Sequence, residues 1–336
     1  MQKIKHTVFV LFFFSLINTF FFSSCSTQKE TLPDISDLKV NVEMERVDKK
    51  IFDGQTKEEI LAYLKENPDL LLKGFRVNDI RILDELVKRA NDPYIDTVQR
   101  QVDELYDFEL LREQLNDVFS YTKYYYPDFY VPKIYTIVAG YEMDVVPSDS
   151  MFLIGLDYFL GEQSYYRPPI EAVPNYIWER YHPEAIQTHV ARELSGRYNL
   201  SNPSDNSLVN EMIWWGKTYY FIEKVVPKAA DSLVIGYSNQ EIKDCETYQT
   251  DVWGHFVKNE LFYATSQIEK RKYLEARPHT FEIGQECPGR IAQWLGWQIV
   301  RAYMEQNPTV TLPELMKMKN HREIFEQSKY RPKKVE

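Results

Sequence analysis

Cysteine is scarce in this chain: there are three in 336 residues, and Cys25 stands far from Cys245 and Cys287. Two distant cysteines make neither a disulfide framework nor a zinc-binding repeat, although a single bridge between them stays open. Basic excess is missing as well. Lys and Arg number 40 against 50 Asp and Glu, a net charge of -10 that disfavours nucleic acid and anionic bilayer surfaces as partners. Histidine is equally sparse at six, and His255, His279 and His321 are scattered without ligand spacing, while His182 suits the surface at a helix start. There is no internal repeat and no linker long enough to force a domain boundary. What the chain does have is apolar and aromatic material, 44% and 15% of residues, which is ample for a large buried core.

The one long apolar run lies at the start. Lys3 and Lys5 precede a stretch from Val8 to Phe22, and Ser23 and Ser24 lead into Cys25. About fifteen apolar residues is short for a span, which needs roughly twenty, but suits an export signal. Small residues directly before a cysteine point to cleavage there and acylation of Cys25. The expected organisation is a signal peptide at 1-24, a solvated tether at 25-36 and a single domain at 37-336. Loss of Lys3 and Lys5 takes the mature charge to about -12. The expected location is the cell envelope, facing the periplasm and held to the membrane by the lipid.

Along the domain, Thr56 with Glu59 three residues later has capping-box form, and Asp92-Pro93 opens a second helix with Val98 and Val102 on one stripe. A third helix follows through Leu111, Leu115 and Phe119 until Pro127. The pattern then changes. "KIYTIVAGYEMDVVPSDSMFLIGLDYFLG" carries short apolar stretches broken by Gly140, Pro147 and Gly155, which predicts two or three strands. Helical spacing returns at Ile186, Val190 and Leu194. "SLVNEMIWWGKTYYFIEKVVP" is apolar on nearly every face, so it should run through the core, and a late helix is expected over 288-304, where Gly296 admits another backbone. "YTKYYYPDFY" and "QSYYRPP" place aromatics in or beside loops, fit either for recognition or for filling the core.

One stretch invites a chemical reading. "THVARELSGRY", residues 188 to 198, has the spacing of the HExxH metalloprotease helix but not its groups: His189 could be the first ligand, Val190 stands where the general base belongs, and Glu193 replaces the second histidine. Periodicity alone reads His189, Glu193 and Arg197 as an exposed stripe with a Glu193 to Arg197 pair. The chemical reading adds Glu211, one turn before Trp215, so that His189, Glu193 and Glu211 could converge on a divalent metal. Arg290 would either face the same cleft or pair with a carboxylate at its helix start.

The order of sheet, His-bearing helix, buried helix and late Pro-Gly-Arg helix resembles that of HExxH zinc proteases. More specifically, "ERVDKKIF", "VNEMIWWGKTYYFIEKVVP", "LVIGYSNQEI", "PGRIAQWLGWQIVRAYM", "TLPELM" and "SKYRP" resemble the gliding-motility lipoprotein GldB family of Bacteroidetes. The resemblance implies an α+β fold, mostly helical and zincin-like with a small sheet of short strands. It implies a lipid-anchored component of the gliding machinery, with other envelope proteins as partners, no cofactor, and a degenerate protease-like cleft around His189, Glu193, Glu211, Trp215 and Arg290. The third ligand of the zinc relatives, carried as Glu-Gly, corresponds here to Trp215-Gly216. The chain departs from the family pattern at "KDCETYQ", where a tryptophan is expected beside Cys245. The rival expectations are a zinc metallopeptidase with a His189/Glu193/Glu211 site, and a carrier whose cleft holds a peptide or envelope ligand.

Overall fold

Local signals set most of the helix starts. In the computed structural model, which describes residues 32-53, 55-75 and 82-332, Thr56 and Glu59 form the reciprocal capping box that opens one helix, and Asp92 and Asp107 each accept from backbone N-H groups at the next two. The signal peptide and Cys25 lie outside the described residues. Ile35-Glu336 forms one unit.

The N-terminal part holds strand β1 (Met44-Arg46) and helices α1 (Asp48-Ile51), α2 (Lys57-Glu66), α3 (Ile82-Ala90), α4 (Pro93-Leu105) and α5 (Phe108-Tyr125). Strands β2 (Lys133-Ile137), β3 (Val145-Pro147) and β4 (Met151-Gly155) follow. The sheet order is β1-β2-β4-β3, with β1, β2 and β4 parallel and β3 an antiparallel edge joined to β4 by a tight turn in which the Ser148 N-H donates to the Met151 carbonyl at 2.8 Å. Every residue of β4 is buried, as expected for a strand covered on both faces.

The second half is helical: α6 (Asn175-Trp178), α7 (Ile186-Ser195), α8 (Leu208-Val225), α9 (Asp231-Ile235), α10 (Asn239-Thr247), α11 (Gln249-Lys258), α12 (Gln267-Leu274), α13 (Ile291-Gln306), α14 (Leu312-Lys317) and α15 (His321-Ser328). On α7, Ile186, Val190 and Leu194 are fully buried, as their spacing by four predicts. Helix α8 runs through the core and crosses α13 at closest range where two glycines meet. A Cβ on Gly216 would stand 2.3 Å from the Gly296 carbonyl oxygen, and one on Gly296 only 2.0 Å from that of Met212. Only glycine permits that approach. An ion-pair network fastens α9 to this pair: Arg301 on α13 bridges Glu223 on α8 and Asp231 on α9 while lying 3.9 Å over the Trp297 ring. On α8, the fully buried Lys217 donates to the carbonyls of Leu200 and Met318, each at 2.8 Å, and so ties the end of α14 to the core.

The loop aromatics divide between both expectations. Tyr121 and Phe129 are buried, whereas Tyr124, Tyr130, Tyr165 and Tyr166 are exposed.

Candidate functional site

A cleft of about 850 Å³ opens beside α7 and α8. Its walls come from the segment ahead of α7, the N-terminal part of α7, one face of α8, the α9-α10 turn, the end of α12 and the start of α13. Each contributes a side chain through a local rule. Pro183 opens a 3-10 turn that feeds directly into α7, so His189 falls one turn inside the helix. Gly236 adopts a left-handed conformation (φ 68°) that ends α9, and Arg290 itself takes a left-handed conformation (φ 62°) as the cap of α13.

His189 is buried, not exposed as the helix stripe suggests, because Phe159 and Tyr181 close over it with ring centroids 5.1 and 5.0 Å away. Its Nδ1-H donates to the Ala185 carbonyl at 2.9 Å. Burial pushes the imidazole down to about 3, and the nearby charges of Arg192, His182 and Arg290 act in the same sense. The ring is therefore neutral at physiological pH, with its proton on Nδ1 and the Nε2 lone pair left to the cleft that it lines.

The other candidates separate. Trp215 and Arg290 line the cleft with His189; Glu193 and Glu211 do not. Glu193 accepts from Nε of its neighbour Arg192 at 3.4 Å, and the expected pair with Arg197 is replaced: Arg197 donates to the Ser148 carbonyl and lies over Phe152. Glu211 forms an ion pair with the buried Lys270 on α12, which also donates to the Asn206 carbonyl at 2.8 Å. Among the described residues no three His, Cys, Asp or Glu side chains come together in a way that could hold a metal ion. Val190, at the position of the general base, is fully buried in the core. A zinc ion at His189 would find Glu193 and Glu211 both engaged elsewhere, so the expected His189/Glu193/Glu211 set does not fit it. Gly216 faces away from the cleft into the contact with Gly296, which accounts for a glycine there without any metal.

Arg290 also departs from the carboxylate pairing. Its two terminal nitrogens donate to the carbonyls of Ile235 and Gly236, at 2.9 and 3.0 Å, and its guanidinium lies 5.0 Å from the Tyr237 ring centre. Nε is buried with no partner. Beside it stands Arg180, which the sequence reading passes over. Among the described residues its guanidinium has neither hydrogen bond nor ion pair, only the Tyr176 ring at 5.9 Å. Burial and the adjacent Arg290 push it down to about 10. Arg192, the third arginine of the wall, is partly balanced by Glu193 at 3.4 Å and Asp144 at 3.8 Å. Tyr219 donates to Gln293 between these cations. A cluster of arginines in an acidic protein is the chemical peculiarity of this cleft. One signal marks Arg180 in the sequence: it is a lone cation between Trp178 and Tyr181 just ahead of the Pro183 helix start.

The model of the gliding motility protein GldB family matches residues 28-332. The chain belongs to this family. A GldB-family chain is a component of gliding motility, and the family's lipoprotein character associates it with the cell envelope. Among the described residues no helix is long and apolar enough to cross a membrane. No curated protein and no solved structure matches the chain, so the assignment to GldB rests on the family pattern.

Proposed function

We propose that this GldB-family chain is anchored through an acylated Cys25, faces the periplasm, and serves the gliding machinery by binding an envelope ligand or partner in the cleft rather than by hydrolysis. The observation that carries this reading is the rearranged chemistry of the cleft wall. A metal-dependent hydrolase needs several ligands and an adjacent proton acceptor around one water. Here His189 alone of the candidate ligands faces the cleft, Glu193 and Glu211 are engaged by Arg192 and Lys270, and Val190 is a core residue. The wall offers fixed donors and aromatic rings, Trp215, Tyr219 and Tyr237 among them, which suits recognition.

Two experiments test this. Cys25→Ala should leave an unprocessed or soluble protein that takes up no palmitate; fractionation and labelling like the wild type would remove Cys25 as the anchor. Protein purified without chelator should contain far less than one zinc per chain and cleave no peptide. About one equivalent of zinc, lost in His189→Ala, Glu193→Ala and Glu211→Ala, would overturn the binding reading if peptide cleavage disappeared with it.

A further inference from the structure

We propose that the cleft holds a ligand by a single carboxylate seated between Arg180 and Arg290, with the apolar or aromatic body of the ligand against Trp215 and Tyr219. The inference rests on the reading of the cleft as a binding site and names what it takes. A guanidinium removed from water without a partner is costly, and native proteins almost always pair such a group. Among the described residues Arg180 is partly buried and lines the cleft with no protein hydrogen bond or ion pair on its guanidinium, and next to it stands Arg290, whose Nε is buried without a partner. Neither arginine forms an ion pair among the described residues; Glu241 acts on Arg180 only as a more distant charge. The missing counter-charge is the ligand's.

The count of free donors sets its charge. Arg180 offers its whole planar fork, which matches a carboxylate in bidentate fashion, while Arg290 has two of its five N-H groups fixed on the Ile235 and Gly236 carbonyls and its Nε buried, so that it contributes mainly its charge. Arg192 is partly neutralised by Glu193 and Asp144. Four carboxylates also line the cleft: Glu179, Glu184, Glu241 and Glu275. Glu184 is bonded to His182, Glu241 caps α10 and Glu275 pairs with Arg271, so these three stay with their own partners, and all four repel polyanions from the mouth. A monoanion is admitted where a phosphate dianion is opposed. The neutral His189, able to accept at Nε2, adds a place for an amide or hydroxyl donor on the ligand. A volume of about 850 Å³ suits either a free organic acid or the last residues of a peptide.

The test uses the purified full-length chain in detergent, with thermal unfolding and tryptophan emission followed at fixed ionic strength. The probes are phenylacetate, N-acetyl-Ala-Phe with a free carboxylate, the same dipeptide as its carboxamide, and inorganic phosphate. Both acids should raise the melting temperature and perturb the emission, and the carboxamide and phosphate should do neither. Tighter binding of the dipeptide acid than of phenylacetate identifies a peptide end as the source of the carboxylate, and the reverse order identifies a free organic acid. Arg180→Met and Arg180→Gln should each weaken acid binding at least tenfold while raising the melting temperature of the ligand-free protein, because they remove an unpaired cation. Equal effects of acid and carboxamide, a larger effect of phosphate, or an acid response that survives in both variants would overturn the proposal. Cleavage of the dipeptide would instead overturn the binding-only reading and leave the carboxylate seat standing.

Discussion

Replacing Gly296 by alanine puts one methyl group where two helices touch backbone to backbone. The new Cβ would lie 2.0 Å from the Met212 carbonyl oxygen and 2.5 Å from its carbon. Ordinary contact begins near 3.5 Å, so α8 and α13 must part by about 1.5 Å or bend. The obstacle is main chain, which cannot rotate aside as a side-chain end can. A radial gap of only 0.5-1 Å forfeits roughly a quarter to a half of each dispersion contact, and α13 carries Trp294, Leu295, Trp297, Ile299 and Val300 fully packed along the affected length. Overpacking typically costs about 1-3 kcal/mol and sometimes more; a backbone clash belongs at the upper end, about 4 kcal/mol. Alanine returns about 1 kcal/mol through its better helix propensity. The expected net loss is therefore about 3 kcal/mol, read as a lower urea midpoint at unchanged slope. Gly254 provides the internal control. It also lies inside a helix, but a Cβ there meets nothing within 4 Å, so Gly254→Ala should stabilise by about 0.5-1 kcal/mol. If Gly296→Ala matched or exceeded the wild type in stability, the argument from close approach would be wrong.

Acid should destabilise the fold partly through His189. Its folded value, about 3, lies below the unfolded 6.5, so its contribution is present above pH 6.5 and is lost as pH falls from there toward 3; the shift bounds it at about 5 kcal/mol. His321, pushed down to about 4 by burial and by Lys217, acts in the same sense. The measurement is accordingly the difference in pH slope between wild type and His189→Gln, and parallel slopes between pH 6.5 and 4 would refute the assignment. Cys245 and Cys287 are both free and buried, and burial pushes the thiol of Cys287 up to about 12 and that of Cys245 well above its ordinary value. Native protein should therefore resist a disulfide reagent for hours and release two reactive thiols in urea. Rapid native modification would contradict the burial, and no reaction in urea would reveal a bridge.

Much of the scaffold was legible because its signals are local. Thr56 with Glu59, Asp92 with Pro93 and the four-residue spacing of Ile186, Val190 and Leu194 each mark an element by themselves, and the unbroken apolarity of α8 announces its place in the core. Gly296 was legible too, as a small residue amid tryptophans. The capping-box spacing recurs at Ser238 with Glu241 and at Thr311 with Glu314, so α10 and α14 also carry a start signal. Strand β1 is three residues long, too short to show an alternation, and forms only because β2 pairs with it from far along the chain. The site was harder. His189 sits on a helix whose own period points it outward, and what buries it are rings from residues 159 and 181, outside that period. Arg290 is held by carbonyls that lie 54 and 55 residues away, and the solitude of Arg180 is a fact about everything that does not reach it. No spacing rule encodes such relations.

Trp215 and Gly216 are neighbours in sequence with opposite obligations: one faces the cleft, the other is pressed against α13. The division continues along α8, where Tyr219 borders the cleft while Lys217 anchors the core. The consequence is evolutionary. Substitutions on one side of this helix can rewrite what the cavity admits without loosening the joint on the other, so a lineage could exchange one chemistry for another by drift at a handful of wall positions. The glycine seam would stay fixed throughout as the hinge pin of the architecture.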